Sequence, residues 1–314
     1  MKKPPTRPSA NARGSATCCG GSLTGPRSGR LRLSEWVLVA FFAYVALLTR
    51  WFRDRPRLGY APLVFLLVIC SLLFLLARAE QKKQLSRTIS ITRDWLPIPL
   101  TLAAFREMGL FVPAHFQPHF ENSWIHLDHL LLHDWHLGRA IETIGAVIPF
   151  FLESCYFFVY GLAAFCVTVL WFKTARKGID RFFVIYLVGT LTAYALFPFF
   201  PSQPPRFLFP AADPPNFTNW VRHLNIYLLD RTSIHSGVFP SAHVSSAFSA
   251  AFAMFLLLPN QKSYGIGVLT YAICVSIATI YGRYHYAADV LAGFAVSLVA
   301  GGLCLVRRVW KADC

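Results

Sequence analysis

Residues 263–306 read SYGIGVLTYAICVSIATIYGRYHYAADVLAGFAVSLVAGGLCLV, two long apolar runs separated by a short polar segment. Each run, 263–282 and 286–306, is close to the roughly 20 residues that a helix needs to cross a hydrocarbon core of about 30 Å. A backbone in hydrocarbon must satisfy its own N–H and C=O groups, which a helix does within one segment. The stretch therefore predicts two membrane-spanning helices joined by a polar loop.

The rest of the chain repeats this apolar pattern. Of the 314 residues, 55% are hydrophobic and 14% charged, whereas soluble domains usually carry about 25% charged residues. The pattern predicts an all-α polytopic membrane bundle, with a disordered basic tail at 1–32, N-terminal transmembrane helices at 33–94 and a six-helix core at 95–309. The further predicted spans lie at about 33–50, 60–78, 147–172, 181–200 and 241–259.

The segment 95–112 leaves the number of N-terminal spans open. Its length would allow an eighth crossing, but Pro97, Pro99, Arg106 and Glu107 also fit a broken, re-entrant or interfacial helix. The Cys residues within apolar runs are expected to be small buried side chains and not a disulfide framework.

The net charge is +15, and the basic residues behind it are distributed as in a membrane protein. Seven basic residues precede the first acid, Glu35, and others lie in short loops between apolar runs, which argues against nucleic-acid binding. The basic clusters at 173–181 and 307–311 predict cytoplasmic ends. Alternating the spans between them puts 201–240 and 282–286 together on the opposite face.

Polar residues of three short segments would converge on that face: 201–207, 239–244 and 281–289. In the third, His285 and Asp289 are four residues apart and share a helical face. A carboxylate there can fix the imidazole tautomer and leave the other nitrogen free to attack. A structural ion pair that steadies the helix start is the alternative.

The other two segments add groups suited to an anion. Ser241 reads as the N-cap of a helix, with His243 in its first turn, so free N–H groups and the helix dipole would favour an anion there. His243 could also act as a general acid. Arg206 and Arg283 supply guanidinium groups that match phosphate oxygens. Each feature alone also fits an ordinary cap or a headgroup anchor, and their conjunction favours a catalytic site.

At these residues the chain resembles the type-2 phosphatidic acid phosphatase superfamily, which includes the vanadium haloperoxidases. Phe-Pro-Ser-Ala-His at 239–243 is similar to the family's Pro-Ser-Gly-His motif, and His285 with Asp289 matches its His-x-x-x-Asp ending. The resemblance implies a metal-free, cofactor-free enzyme that acts on a lipid phosphate or phospholipid headgroup. It further implies His285 as nucleophile, Asp289 orienting it, His243 as general acid, and Arg206, Ser241 and Arg283 holding the phosphoryl group.

Departures from the phosphatase branch point to a different subgroup. Phe199 stands where that branch has Lys, and Thr279 where it has Arg. Three segments are more similar to the inositol phosphorylceramide synthase (inositolphosphotransferase) branch. They are Pro-Pro-Arg at 204–206, Tyr-x-x-x-His-Tyr-x-x-Asp at 281–289 and Asp-Trp-Leu-Pro at 94–97. Such relatives transfer a phosphoryl-containing headgroup to a lipid hydroxyl. The resemblance leaves hydrolysis and transfer both open.

Two other interpretations of the sequence compete with this one. A stripe of four histidines, His126, His129, His133 and His136, could bind zinc, although an interfacial amphipathic helix is the favoured explanation. The whole chain could instead be a transporter or channel, or a scaffold without activity, but its polar residues cluster at one predicted boundary and not at mid-membrane. We expect an integral membrane enzyme with its site on the non-cytoplasmic face, in the plasma or inner membrane if the source is bacterial.

Overall fold

The computed structural model describes residues 30–52, 55, 58–82, 86–113, 118–174, 176–209, 215–234 and 236–306. Almost all of the predicted basic tail and the C-terminal basic cluster at 307–311 lie outside the described residues. The described part is helical and contains no strand, which confirms the predicted all-α class. The helices are α1 (Leu33–Leu48), α2 (Ala61–Ala79), α3 (Ser86–Trp95), α4 (Pro97–Met108), α5 (Glu121–His129), α6 (Leu137–Glu142), α7 (Val147–Phe158), α8 (Leu162–Thr174), α9 (Ile179–Leu196), α10 (Pro205–Leu208), α11 (Trp220–Thr232), α12 (Ala242–Leu257), α13 (Lys262–Tyr281) and α14 (Ala287–Val306).

All seven long apolar runs form helices. Within the described residues, four helical segments are long and apolar enough to cross a membrane: Ala61–Ala79, Val147–Thr174, Ile179–Leu196 and Lys262–Tyr281. Three shorter apolar helices, Leu33–Leu48, Ala242–Leu257 and Ala287–Leu303, account for the other predicted spans. A short 3₁₀ segment, Val159–Gly161, joins α7 to α8, so the two helices together make one crossing.

Helix α12 lies at the centre of the bundle, in contact with α9, α13 and α14. Its small residues allow close approach of the neighbouring backbones: a Cβ at Gly189 of α9 would lie 2.0 Å from the Ser249 hydroxyl, and one at Gly293 of α14 would lie 2.4 Å from the Ser241 carbonyl. Gly293 therefore packs closely against the start of α12, whereas a Cβ at Gly302 would meet no atom within 4 Å.

One end of the bundle is fastened by buried charges, and we call it the ion-pair end. Arg93, between α2 and α4 in the chain, bonds to both Glu35 and Glu80. The carboxylate of Asp94 accepts hydrogen bonds from Arg32 and Arg176. Such pairs compensate charges that would be costly to bury alone. They tie the N-terminal helices to the loop between α8 and α9.

The opposite end carries the segments around His285, and we call it the histidine end. Helix α4 connects the two ends. It follows directly after Asp94 at the ion-pair end, and near its other end Arg106 Nη1 donates to the Thr232 carbonyl at 2.9 Å, while a Cβ at Gly109 would lie 3.3 Å from Ile234. The segment 95–112 therefore runs from one end of the bundle to the other, although α4 is not among the apolar helices of the described residues that could cross a membrane.

Candidate active site

A sharp turn after α13 positions His285. The carbonyl of Thr279 accepts hydrogen bonds from the backbone N–H groups of both Tyr284 (2.9 Å) and His285 (3.1 Å). Arg283 between them and the helix adopts a left-handed conformation with φ 62°. The chain consequently folds back on the end of α13, and His285 points into the bundle just before α14 begins.

The imidazole of His285 is held from one side. Its Nδ1 lies 3.1 Å from the Val238 carbonyl and 3.3 Å from Asp289 Oδ2. The same Asp289 oxygen accepts the backbone N–H of Tyr286 at 2.9 Å, which fixes the carboxylate. Both acceptors require a proton on Nδ1, so the lone pair of a neutral ring is on Nε2. The predicted pairing of His285 with Asp289 is thus present in the structure.

His243 faces that free nitrogen from the first turn of α12. Its Nδ1 lies 3.2 Å from His285 Nε2. Ser241 is the N-cap of α12, as predicted: its hydroxyl accepts the backbone N–H of Val244 at 3.4 Å, and its own N–H donates to the Asp289 carbonyl at 2.9 Å. The starts of α12 and α14 are therefore joined directly beside the two imidazoles.

Arg206, on the short helix α10, completes the polar group. Its guanidinium lies over the rings of Phe207 (4.5 Å) and Tyr284 (5.9 Å). Its Nε is buried and has no hydrogen-bond partner among the described residues. An N–H group that is removed from water without an acceptor costs free energy, and an anionic ligand would supply the missing acceptor.

These groups line one cavity of ≈ 430 Å³. Arg206, His243 and His285 meet at its polar part together with the aromatic side chains of Tyr156, Tyr160 and Tyr284. The ring of Tyr156 stacks on Tyr284 at 3.9 Å and contacts His243 at 5.2 Å. The remaining wall is mainly apolar, a composition that resembles small-molecule sites with a few convergent polar groups.

Burial determines the charge state of the polar groups outside the spans. It lowers the pKa of His285 to about 3, and the nearby Arg206 guanidinium acts in the same direction. Burial also lowers the pKa of Arg206, but guanidinium groups in proteins stay charged at pH 7. At neutral pH the site therefore pairs a neutral imidazole with a positive guanidinium whose Nε has no hydrogen-bond acceptor among the described residues.

Two predicted residues lie near the cavity without lining it, and a third lies elsewhere. Ser241 and Asp289 are fully buried behind the imidazoles. Arg283 instead borders a second cavity of ≈ 520 Å³, whose lining includes His133, His136 and Arg139. The structure therefore brings Arg206, Ser241, His243, His285 and Asp289 together and separates the Arg283 side chain from them.

Sequence reasoning missed a buried network behind the site. Glu153, within α7, accepts hydrogen bonds from Arg222 Nη1 (2.7 Å), Asn225 Nδ2 (2.8 Å) and the Tyr284 hydroxyl (2.6 Å). Glu153 is an ionisable residue inside an apolar run, and that alone marks a functional or structural position in a membrane protein. The network holds Tyr284 against Tyr156, and so supports the wall beside His243.

The histidine stripe does not assemble into a metal site within the described part of the chain. His129 and His133 stack with ring centroids 4.6 Å apart, but no group of three His, Cys, Asp or Glu residues there is arranged to hold a metal ion. His115 lies outside the described residues. Helix α5 is instead joined to the active-site loop, because Asp128 Oδ1 accepts the backbone N–H of Ala287 at 2.8 Å.

Comparison with known proteins identifies the same part of the chain. A family model described as the PAP2 superfamily matches residues 123–303. A PA-phosphatase related-family protein of Dictyostelium discoideum is 39% identical over 62 residues, which make up 20% of this chain and 11% of that protein. This chain therefore matches only a small part of that relative's length. No solved structure matches the chain.

Proposed function

The chain belongs to the PAP2 superfamily, and from that premise we propose that it transfers the phosphoryl group of a membrane lipid through a phosphohistidine on His285. The observation that carries the proposal is the Arg206 side chain, whose buried Nε has no hydrogen-bond acceptor among the described residues and which shares one cavity with two hydrogen-bonded imidazoles. A phosphoryl oxygen would supply the acceptor that this Nε lacks.

In the first step, Nε2 of His285 attacks phosphorus, and the bond between phosphorus and the lipid oxygen breaks. His243, in its protonated form, donates a proton to the leaving oxygen and becomes neutral, so the lipid departs as an alcohol. Asp289 accepts the Nδ1 proton of His285 in a hydrogen bond and stabilises the positive charge that develops on the ring. Arg206 and the N-terminus of α12, capped by Ser241, balance the charge on the phosphoryl oxygens.

In the second step, an oxygen nucleophile attacks the phosphohistidine and His243 takes its proton. The N–P bond breaks, and His285 returns to its starting state. The 3.2 Å contact between the two imidazoles leaves no room for phosphorus, so the substrate must separate the rings as it binds. In-line displacement, with nucleophile and leaving oxygen on opposite sides of phosphorus, requires that separation.

The proposal also concerns the identity of the acceptor in the second step. We favour a lipid hydroxyl over water, as in the inositolphosphotransferase-like branch, because of the motif details at 204–206 and 281–289. Arg283 stays a predicted phosphate ligand. Its position on the neighbouring cavity suits a contact to a headgroup that extends beyond the phosphoryl group.

A phosphoenzyme trap tests the function. Purified protein is mixed with a ³²P-labelled lipid phosphate and quenched in alkali, in which phosphohistidine survives and phosphoserine does not. We expect label on the wild-type chain and none on His285→Gln. His223→Gln replaces an exposed histidine of α11 and should label normally. Label that persists in His285→Gln would refute the assignment, and release of phosphate without an added hydroxyl acceptor would favour hydrolysis over transfer.

A further inference from the structure

The cavity extends well beyond its polar part. A phosphoryl group beside Arg206, His243 and His285 would leave most of the ≈ 430 Å³ unfilled. Much of the remaining wall is hydrocarbon, with side chains such as Val159, Ala163 and Phe197. A site with one charged part and one long apolar part suits a ligand of the same make-up, an anion attached to a hydrocarbon chain.

Helix α4 forms one side of this apolar part. Ile98, Thr101, Leu102 and Phe105 line the cavity, and their spacing of three, one and three residues places them on a single helical face. These residues precede the segment 123–303 that matches the family model. The wall that α4 contributes thus lies outside the matched segment.

The cavity also reaches the side of the bundle. Leu102 lines it and is nevertheless 59% exposed, and Tyr160, which lines it as well, is 52% exposed. Leu102 lies midway along α4, away from both the ion-pair end and the histidine end. An opening at this level admits a lipid chain sideways, while the headgroup lies near the imidazoles.

We infer that α4 is the chain-selecting wall of the site: Leu102 and Phe105 hold the hydrocarbon chain of the phosphorylated lipid and set the length and width that the enzyme accepts. This inference rests on the proposed function for the identity of the headgroup. It adds that α4 is the part of the enzyme that distinguishes one lipid phosphate from another. A larger side chain at position 102 should obstruct the lateral opening, and a smaller one at 105 should widen the passage.

The test compares a long-chain with a short-chain ligand. For Leu102→Trp we expect the ratio of kcat/KM for dioleoyl to dihexanoyl phosphatidic acid to fall at least about tenfold, a change in transition-state binding of about 1.4 kcal/mol. Phe105→Ala should raise the same ratio, because the wider passage would accept the bulkier chains. Leu75→Trp is the matched control, because Leu75 is an exposed apolar residue of α2 that does not line the cavity, and its ratio should equal that of the wild type.

A binding measurement separates this inference from the proposed function. Hexadecylphosphonate and methylphosphonate cannot be cleaved, so their affinities are measurable even if no turnover is found. Leu102→Trp should weaken hexadecylphosphonate binding at least about tenfold more than methylphosphonate binding. Equal effects on both ligands, in a variant with wild-type thermal stability, would overturn the role of α4. Absence of turnover with normal chain-dependent binding would refute the proposed function alone.

Discussion

At the scale of single residues, the charge state of His285 decides whether the site can act at neutral pH. An ordinary histidine has a pKa near 6.5, but burial and Arg206 lower that of His285 to about 3. The ring should remain neutral at pH 5, with its proton on Nδ1. ¹⁵N-histidine NMR of the detergent-solubilised protein, assigned with His285→Gln, measures this directly. A ring that takes up its second proton near pH 6.5 would contradict the prediction.

The same pKa has a consequence for folding. Between about pH 3 and 6.5, the unfolded chain binds a proton at this residue and the folded chain does not. The free energy of unfolding therefore decreases as the pH falls through this interval, and His285 makes no contribution above it. His285→Gln should flatten this part of the stability profile relative to the wild type.

In the proposed mechanism, Asp289 acts on the reaction through His285. In Asp289→Asn, the amide can donate to Nδ1, which stabilises the tautomer with its proton on Nε2 and removes the attacking lone pair. We expect kcat to fall on the order of 10⁴-fold, as in other carboxylate–imidazole pairs, with a smaller change in KM. Phosphoenzyme formation in a single turnover should slow equally. A variant with normal phosphorylation would show that Asp289 only steadies the start of α14.

The sequence could predict those residues whose positions depend on local structure. Ser241 and His243 follow from the start of a helix, and His285 and Asp289 from a spacing of one helical turn. Arg283 could not be placed, because its direction depends on the left-handed turn formed around the Thr279 carbonyl. This turn depends on hydrogen bonds between the end of α13 and the loop that follows it, and the sequence pattern does not predict them.

At the scale of elements, α7 and α11 are joined by the Glu153 network, whose contribution is testable by a double-mutant cycle. Glu153→Gln keeps hydrogen-bonding groups for Tyr284 and Asn225 but leaves the Arg222 charge unpaired. Breaking a buried pair in this way costs about 3–5 kcal/mol. Adding Arg222→Met should recover part of the loss. Unfolding in mixed micelles measures all three variants.

Glu142→Gln provides the control for that cycle. Glu142 bonds to Asn216 and the Tyr281 hydroxyl but to no arginine in the described residues, so its loss should be about 1 kcal/mol. If Glu153→Gln costs no more than Glu142→Gln, the buried ion pair does not stabilise the junction of α7 and α11.

The sequence was least informative about α4 for a physical reason. Its prolines lie in the first turn, where the missing N–H needs no partner, so Pro97 and Pro99 begin a helix instead of breaking one. Arg106 reaches the Thr232 carbonyl, and Glu107 is buried within the bundle. Both placements depend on tertiary neighbours. Composition alone therefore could not distinguish a crossing from an interfacial helix.

At the scale of the whole molecule, we expect the passage of α4 between the two ends of the bundle to decide the topology. If eight segments each cross once, the start of α1 and the end of α14 lie at the ion-pair end; these segments are α1, α2, α4, the α7–α8 segment, α9, α12, α13 and α14. This arrangement agrees with the charge pattern, because the basic residues around Arg176 belong to the same end. Seven crossings would have put the basic C-terminal segment on the opposite side from the N-terminal one.

Orientation in the membrane then follows from the positive charges. Lys173, Arg176 and Lys177 should keep the ion-pair end in the cytoplasm, because basic loops are retained there, and the phosphoryl chemistry should occur on the other face. One added cysteine at a time tests this in a background in which Cys18, Cys19 and Cys314 are replaced by serine. A membrane-impermeant maleimide should label Asn216→Cys in intact cells, whereas Lys177→Cys should react only after permeabilisation. Both positions are exposed, so the difference in labelling reports the side of the membrane. The reverse pattern would put the imidazoles on the cytoplasmic face, and lipid phosphates of the inner leaflet would then be the substrates to examine.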